Sequence, residues 1–304
     1  MSIEVNKQNL DVLYLCLKKA FQNAFDGVKP LYPALTTRVP STAAAEVYGW
    51  ATDFPAVREW IGERELHKLT EYEYAIKNRK FESTIVIPAD KIADNQLAMY
   101  NNITAEMGQQ AAQHPDQLLF ELLRSGASAK GYDGVPFFGE HRVAKGSSAS
   151  GTLSNALLAA SKDDTKAPWY LLDLSRALRP FIWQEREKYR IDALTDPRQS
   201  HEVFMRDEYL YGIRGRGSMG YGFWQMAFMS NLELNAANFT MLRQRMVSQR
   251  NSAGNMLGIA PSVLLVGESN REAAFYIAQA QTLAGQAPNP NYGLVDVWVT
   301  PYLD

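Results

Sequence analysis

The spacing of apolar residues predicts two long helices in the first half of the chain. Near the N-terminus, apolar positions recur at helical steps and end before Gly27; they are Leu10, Leu13, Tyr14, Leu17, Phe21, Ala24 and Phe25. A second stripe contains Met99, Ile103, Met107, Ala111, Leu118 and Leu122. Because this stripe stays in phase across Pro115, we predict one kinked helix over residues 95–125. The first helix either docks on a neighbouring subunit or packs on its own domain.

Between these helices the pattern changes to the two-residue period of a β-strand. Phe81, Ser83, Ile85 and Ile87 alternate with Glu82, Thr84 and Val86. We interpret residues 58–90 as an extended hairpin, with a weak outgoing strand at 66–70, a tip near 70–74 and a return strand at 74–87. A further strand is predicted at 43–51. Because two isolated strands are only marginally stable in water, such a hairpin needs a surface to lie on.

The second half of the chain predicts a mixed sheet flanked by helices. A loop rich in Gly and Ser spans 131–151, and we place a change of lobe near 165–168. Strands are predicted at 169–174, 262–266 and 294–300, and helices at 235–250 and 271–283. The Gly-rich stretch at 214–222 lacks the Gly-Lys-Ser/Thr ending of a phosphate-binding loop, so we interpret it as an ordinary loop.

Composition gives no sign of catalytic chemistry. The 304 residues have a formal net charge of −2, which argues against a dedicated nucleic-acid-binding surface. The single cysteine, Cys16, excludes an internal disulfide and is predicted to be a small buried hydrophobe. The four histidines lack metal-ligand spacing. No apolar run approaches the roughly 20 residues of a membrane helix. We therefore predict no catalytic residue, cofactor or metal.

Charges along the predicted hairpin indicate contacts with a partner. The outgoing side carries Glu59, Glu63, Glu65, Glu71 and Glu73, and the return side carries Lys77, Arg79 and Lys80. Such legs could pair with a rotated copy or with each other, and each exposed pair would contribute only about 0–1 kcal/mol. The candidate inter-subunit residues are Arg64, Lys68, Glu71, Tyr72, Glu73, Tyr74, Lys77, Arg79, Lys80 and Phe81.

Ordered motifs along most of the chain resemble the major head subunit of Mu-like tailed phages. They comprise Tyr48-Gly49-Trp50, Phe54-Pro55, Glu59-Trp60-Ile61-Gly62-Glu63-Arg64, Tyr74-Ala75-Ile76, Asn78, Phe81-Glu82, Pro115-Asp116, Tyr132-Asp133-Gly134, Phe137-Phe138, His141, Arg179-Pro180-Phe181-Ile182, Gln184-Glu185-Arg186, Val203-Phe204-Met205-Arg206 and Gly220-Tyr221-Gly222-Phe223-Trp224-Gln225. The resemblance runs from about Tyr48 to the C-terminus.

This resemblance implies an α+β fold, the major capsid fold of tailed phages. The expected parts are an N-terminal arm and lead-in at 1–57, an extended β-hairpin loop at 58–90, a peripheral domain with the long spine helix at 91–167, and an axial domain at 168–304 from which some strands return to the peripheral domain.

The implied function is structural. Copies of the chain would form hexamers and pentamers of an icosahedral head around double-stranded DNA, without sequence-specific binding. The implied partners are other copies of the chain, a scaffolding protein, a portal and a decoration protein, with assembly in the host cytoplasm and no membrane. Two alternatives stay open: the shell of a cellular nanocompartment with the same fold, and a two-lobed α/β enzyme, which would need a pocket with convergent polar groups.

Overall fold

A computed structural model describes residues 4–51, 71–143, 151–251, 254–283 and 285–304, with the backbone alone at 49–51 and 71–73. The helices are α1 (Lys7–Gly27), α2 (Tyr32–Leu35), α3 (Ala89–Ala93), α4 (Ala98–Ser125), α5 (His201–Arg206), α6 (Ala236–Val247) and α7 (Arg271–Ala278). The strands are β1 (Thr36–Pro40), β2 (Ala45–Ala51), β3 (Glu71–Lys77), β4 (Arg79–Pro88), β5 (Glu140–Arg142), β6 (Thr152–Ser154), β7 (Ala156–Leu157), β8 (Trp169–Leu172), β9 (Phe181–Leu194), β10 (Glu208–Tyr221), β11 (Ala227–Ser230), β12 (Val263–Val266) and β13 (Asp296–Val299).

A four-stranded sheet of order β1-β9-β10-β4 lies beneath the two long helices. β9 and β10 are long antiparallel strands, and β4 continues the sheet antiparallel to β10. Apolar side chains of α1, α4 and this sheet form one buried cluster, with Leu17, Met107 and Tyr211 among its members. The cluster fixes both helices on the same side of the sheet.

A second, five-stranded sheet of order β13-β12-β8-β11-β7 organises the C-terminal part. Parallel pairs occur at β12–β13 and β7–β11, while β8 pairs antiparallel with both β11 and β12. All four residues of β8, β11 and β12 are buried, as expected for strands covered on both faces. Side chains of α6 and α7 belong to the same core. The prediction of a mixed sheet with flanking helices is confirmed.

The long helix α4 runs unbroken through Pro115, as predicted, although it begins at Ala98 instead of residue 95. Leu118 and the central residues of its predicted stripe are buried. Met99 and Ile103 are 60% and 37% exposed, so the first turns of the stripe contribute no core contact within this chain.

The N-terminal helix packs on its own subunit. The side chain of Asn6 caps α1 by accepting the backbone N–H of Asn9 at 2.9 Å. Leu10, Leu13, Leu17 and Phe21 are buried against α4 and the first sheet. The prediction that Cys16 is buried was wrong, because Cys16 lies on the face of α1 that points away from this contact and is exposed.

The described part of the predicted hairpin at 58–90 is divided between two sheets, so the return strand predicted at 74–87 is two strands and not one. β3 pairs antiparallel with β2, and β4 pairs with β10. Glu71–Tyr74, assigned to a tip, lie inside β3; the predicted outgoing strand at 66–70 lies outside the described residues. The alternation within 79–88 was right, since Phe81, Ile85 and Ile87 are less exposed than their neighbours. Glu71, Glu73 and Lys77 therefore share one strand.

Most of the Gly-rich stretch at 214–222 is not a loop: residues 214–221 are the second half of β10, and Gly222 directly follows the strand. Its glycines lie where a side chain would collide with packed neighbours. A Cβ on Gly217 would lie 2.8 Å from the Trp183 ring, and a Cβ on Gly222 would lie 2.8 Å from the Pro180 carbonyl oxygen. Glycine inside a strand often marks such a close approach, which the sequence pattern alone cannot distinguish from a loop.

The remaining predicted elements are present with adjusted ends. The strand at 43–51 is β2, that at 169–174 is β8, and those at 262–266 and 294–300 are β12 and β13. The helix at 235–250 is α6, whose cap Asn235 accepts the Asn238 N–H at 2.9 Å. The helix at 271–283 is α7, which ends five residues early, at Ala278. Short strands β5, β6 and β7 were not predicted.

Candidate inter-subunit surfaces

The two-stranded ribbon β2–β3 is attached to the first sheet at its base. Gln184 of β9 is fully buried and donates from Nε2 to the Ile76 carbonyl at 3.0 Å and to Asn78 Oδ1 at 2.8 Å. Its Oε1 accepts the Tyr48 hydroxyl at 2.8 Å. One side chain of the sheet therefore contacts both ribbon strands and the residue that follows them.

A second polar cluster fixes the turn that enters the ribbon. Glu46 accepts the Ser41 hydroxyl at 2.8 Å and the backbone N–H groups of Thr42 and Ala43 at 2.9 and 3.0 Å. These hydrogen bonds lower the pKa of Glu46, and the one from the Ala43 N–H has the largest effect on it. Asn78 donates to Ser41 Oγ at 2.7 Å and so links the turn to the end of β3.

The inner face of the ribbon base packs on Gly220 of β10. Ile76 is buried, and a Cβ on Gly220 would lie 2.1 Å from its Cδ1 atom. The hydroxyl of Tyr74 accepts the backbone N–H of Tyr221 at 3.2 Å, and burial raises the pKa of Tyr74. Because Gly220 has no side chain, Ile76 can pack directly on the backbone of β10.

An aromatic cluster joins β4 to the long helix. The Phe81 and His114 rings meet edge to face with centroids 4.3 Å apart, and the Arg79 guanidinium lies 5.2 Å from the Phe81 ring centre. Burial lowers the pKa of His114 and raises that of Tyr189, and the Tyr189 hydroxyl forms a hydrogen bond with His114 Nδ1 at 2.7 Å. Phe81 is therefore half-buried within its own chain.

The segment between α1 and β1 is held by a carboxylate on α4. Asp116 accepts the backbone N–H groups of Leu31 and Tyr32 at 2.9 and 2.6 Å. Burial outweighs these hydrogen bonds and raises the pKa of Asp116. The sequence motif Pro115-Asp116 thus fixes the path of the N-terminal segment over the helix.

The predicted contact residues fall into three groups. Arg64 and Lys68 lie outside the described residues, and Glu71, Tyr72 and Glu73 lie in β3, at positions where only the backbone is described. Lys77, Arg79 and Lys80 are exposed and placed close together at the junction of β3 and β4. Tyr74 and Phe81 contact their own chain as described above. The inter-subunit role of all ten residues stays a prediction.

The sequence did not reveal the contacts of the buried His141 near the second sheet. His141 Nδ1 lies 2.5 Å from Asp133 Oδ2, and Nε2 lies 3.1 Å from the Phe137 carbonyl oxygen. The ring stacks on Trp224 with centroids 4.1 Å apart. These residues carried part of the family resemblance, and their contacts show a packing role. Within the described ranges, no group of three or more His, Cys, Asp or Glu side chains could hold a metal ion.

The chain matches known proteins over nearly its whole length. The model of one family, described as Mu-like prophage major head subunit gpT, matches residues 10–303. The major capsid protein of Escherichia phage Mu is 34% identical over 98% of this chain and 99% of that protein. The chain belongs to the Mu-like major head subunit family.

Solved structures agree with this assignment. The subunit in the procapsid of bacteriophage JBD30 is 40% identical, with a TM-score of 0.84 over 98% of this head subunit and 100% of that chain. The subunit in the JBD30 capsid is 27% identical, with a TM-score of 0.79 over 99% of this chain and 100% of that chain. The predicted α+β capsid fold is confirmed.

The head subunit is a structural component of the phage virion and not an enzyme. It assembles with copies of itself into a multimeric shell. In the described part of the chain, none of the helices combines the length and apolarity needed to span a bilayer.

Proposed function

We propose that the head subunit forms hexamers and pentamers of an icosahedral shell that encloses double-stranded DNA. The part built on the five-stranded sheet would lie at the capsomer centre as the axial domain. The part built on α4 and the four-stranded sheet would be the peripheral domain, to which β9 and β10 return from the 168–304 segment. Assembly would depend on geometry and not on catalysis: repeated copies would overlap, and their contacts would set the curvature of the shell.

The observation that carries this proposal is the β2–β3 ribbon. Its base is fixed by Gln184, Tyr74 and Ile76, whereas the ribbon itself is two strands wide. Two strands alone are marginally stable, so a neighbouring copy would have to cover the rest. Residues 52–70, which connect the two strands, include the predicted contact residues Arg64 and Lys68.

Further partners follow from the same proposal. A separate scaffolding protein would occupy the precursor shell, and a portal and a decoration protein would bind the head. The ribbon and spine helix α4 would reorient as the shell expands. Packaged DNA would meet a surface of low net charge, since the chain carries −2 overall, and would not be bound by sequence.

Replacing the connection between the ribbon strands tests the proposal. In the variant, residues 52–70 give way to a short Gly-Asn turn, so β2 and β3 keep their pairing and the contacts to Gln184. We expect a folded subunit, by circular dichroism and size exclusion, that fails to form closed shells by electron microscopy. The Cys16→Ala variant, which alters an exposed position on α1, should assemble normally. Normal shells from the shortened ribbon would refute the role assigned to it.

A further inference from the structure

The outer face of α1 carries apolar side chains that nothing in the described part of the chain covers. The inner face belongs to the core, where Leu17 and Phe21 are buried. On the outer face, Val12 is 54% exposed and Leu15 is 61% exposed, and the neighbouring Cys16 is exposed as well. Residues three or four apart are neighbours on a helix surface, so these side chains form one patch. A cluster of exposed apolar residues, unlike a single one, is typical of an interaction site.

Opposite charges flank this patch. Asp11 lies four residues before Leu15 and Lys19 lies four residues after it, so the three side chains form one ridge on the helix surface. Asp11 and Lys19 are both exposed, and neither forms a hydrogen bond or an ion pair among the described residues. They lie about 12 Å apart along the helix axis, which is too far for them to pair with each other. The outer face of α1 therefore has an unpaired acid at one end and an unpaired base at the other.

We propose that the α1 helices of two copies pack antiparallel through this face, around a local two-fold axis beside Leu15. Ridges of residues four apart pack side by side in the commonest class of helix contact, in which the helix axes cross at about 50°. In an antiparallel pair, Asp11 of each copy lies beside the partner's Lys19, and the two apolar patches meet at the axis. This inference rests on the proposed shell, in which local two-fold axes relate subunits of adjacent capsomers.

A second copy fits this face better than an unrelated protein would. The order of acid, apolar patch and base is complementary to itself when it is reversed, so the second copy needs no further feature. The subunit also assembles with copies of itself. A parallel pair would place acid beside acid and base beside base, and like charges in contact oppose association. The apolar patch would supply most of the stabilisation, and the charges would fix the antiparallel direction.

Charge reversal tests the pairing in the assembly of the full chain. Lys19→Asp places two acids side by side at each end of the contact, so its yield of closed shells should fall at least roughly tenfold. Adding Asp11→Lys to this variant restores both pairs with exchanged signs, so the double variant should recover to within about twofold of wild type. Because Asp11 and Lys19 cannot pair within one helix, such a recovery reports a contact between copies.

Lys29→Asp is the matched control. Lys29 is exposed but lies beyond the end of α1, so this variant should assemble as the wild type does. Circular dichroism of the unassembled subunits shows whether each variant keeps its helices. A wild-type yield from Lys19→Asp would overturn the proposal, and so would a folded double variant that does not recover. If the double variant does not fold, cross-linking decides.

The single cysteine allows a test in wild-type heads. The two-fold axis places Cys16 of both copies on the same side of the helix pair, about 10 Å apart, which is the usual distance between the axes of packed helices. A bismaleimide with a span of about 10 Å should therefore join two subunits in heads, and mass spectrometry should map the link to Cys16 of both chains. Cys16→Ala should assemble but give no linked dimer.

The same experiment can refute the contact. Labelling of Cys16 by a maleimide with one reactive group shows that the thiol is accessible in heads. Labelling without linked dimers would refute the antiparallel pair, as would a link from Cys16 to another head protein. In either case the shells themselves would leave the proposed function intact. If Cys16 is not labelled in heads, the yield from Lys19→Asp decides.

Discussion

At the residue scale, single polar side chains fix the places where segments distant in sequence meet. Gln184 joins β9 to both ribbon strands, and Asp116 holds the backbone of Leu31 and Tyr32 on α4. A buried polar group of this kind costs free energy unless all its hydrogen bonds are made, so it favours one arrangement of the segments. His114 does the same between α4, Phe81 and Tyr189.

The environment of His114 predicts a pH dependence of subunit stability. Burial, and then the nearby Arg79 charge, lower its pKa below the unfolded value of 6.5, whereas Glu121 acts in the opposite sense. Because the His114 pKa is lower in the folded subunit, its contribution to stability is complete above the pKa of the unfolded state. That contribution is lost as the pH falls from the unfolded-state pKa to the folded-state pKa. Between about pH 7.5 and about pH 5, the wild-type unfolding free energy should therefore decrease more than that of His114→Gln.

Urea unfolding of the unassembled subunit at several pH values measures this difference. The other three histidines are present in both proteins, so their contributions cancel in the comparison. If the difference in unfolding free energy between wild type and His114→Gln stayed constant across this pH range, folding would not lower the pKa of His114.

At the element scale, periodicity located the helices better than the strand partners. α4 was predictable across Pro115 because its stripe kept phase, and β2, β8 and β12 followed from short apolar or alternating runs. Two features were not predictable. The ribbon pairing depends on 45–51 meeting 71–77, which local alternation does not encode, and β10 carries glycines whose reason lies in side chains from other elements.

The sequence predicted which basic residues belong to the candidate surface but not how the two sheets position them. Lys77, Arg79 and Lys80 were identified from charge, yet the strand break at Asn78 places them at a junction of two sheets. That break follows from the contact of Asn78 with Gln184, which lies more than 100 residues away and cannot be read from local pattern. Glu71 and Glu73, which were assigned to the outgoing leg, share β3 with Lys77, so the predicted charge contrast does not hold for these three residues.

Where α1 packs on α4, the substitution Gly108→Ala should change the stability of the subunit in the direction opposite to that expected from helix propensity. Alanine in place of a helical glycine normally stabilises a helix by about 1 kcal/mol. A Cβ on Gly108, however, would lie 2.3 Å from the Phe21 carbonyl oxygen on α1. Gly108→Ala should therefore destabilise the subunit by about 1–3 kcal/mol, because the two backbones must move apart.

Denaturant unfolding of the free subunit compares this variant with a matched one. Gly27, at the end of α1, has no atom within 4 Å of an added Cβ, so Gly27→Ala should stay within about 0.5 kcal/mol of wild type. If Gly108→Ala were as stable as Gly27→Ala, α1 would not pack on its own subunit as described.

At the scale of the whole molecule, the two sheets differ in how much of their edges and faces is exposed. In the five-stranded sheet, all residues of β8, β11 and β12 are buried. The four-stranded sheet has α1 and α4 on one side and exposes the ribbon junction and the β4 edge. We therefore expect contacts between subunits to form at the four-stranded sheet, which carries the ribbon.

A side-chain-level electron cryomicroscopy map of heads built from this chain would show where the ribbon lies. We expect closed shells in which the β2–β3 ribbon of each subunit lies on an adjacent copy and is held at its base by Gln184 of its own chain. A map in which the ribbon contacts only its own subunit would refute this role of the ribbon, as would a purified chain that stays monomeric and forms no shell with its head-assembly partners.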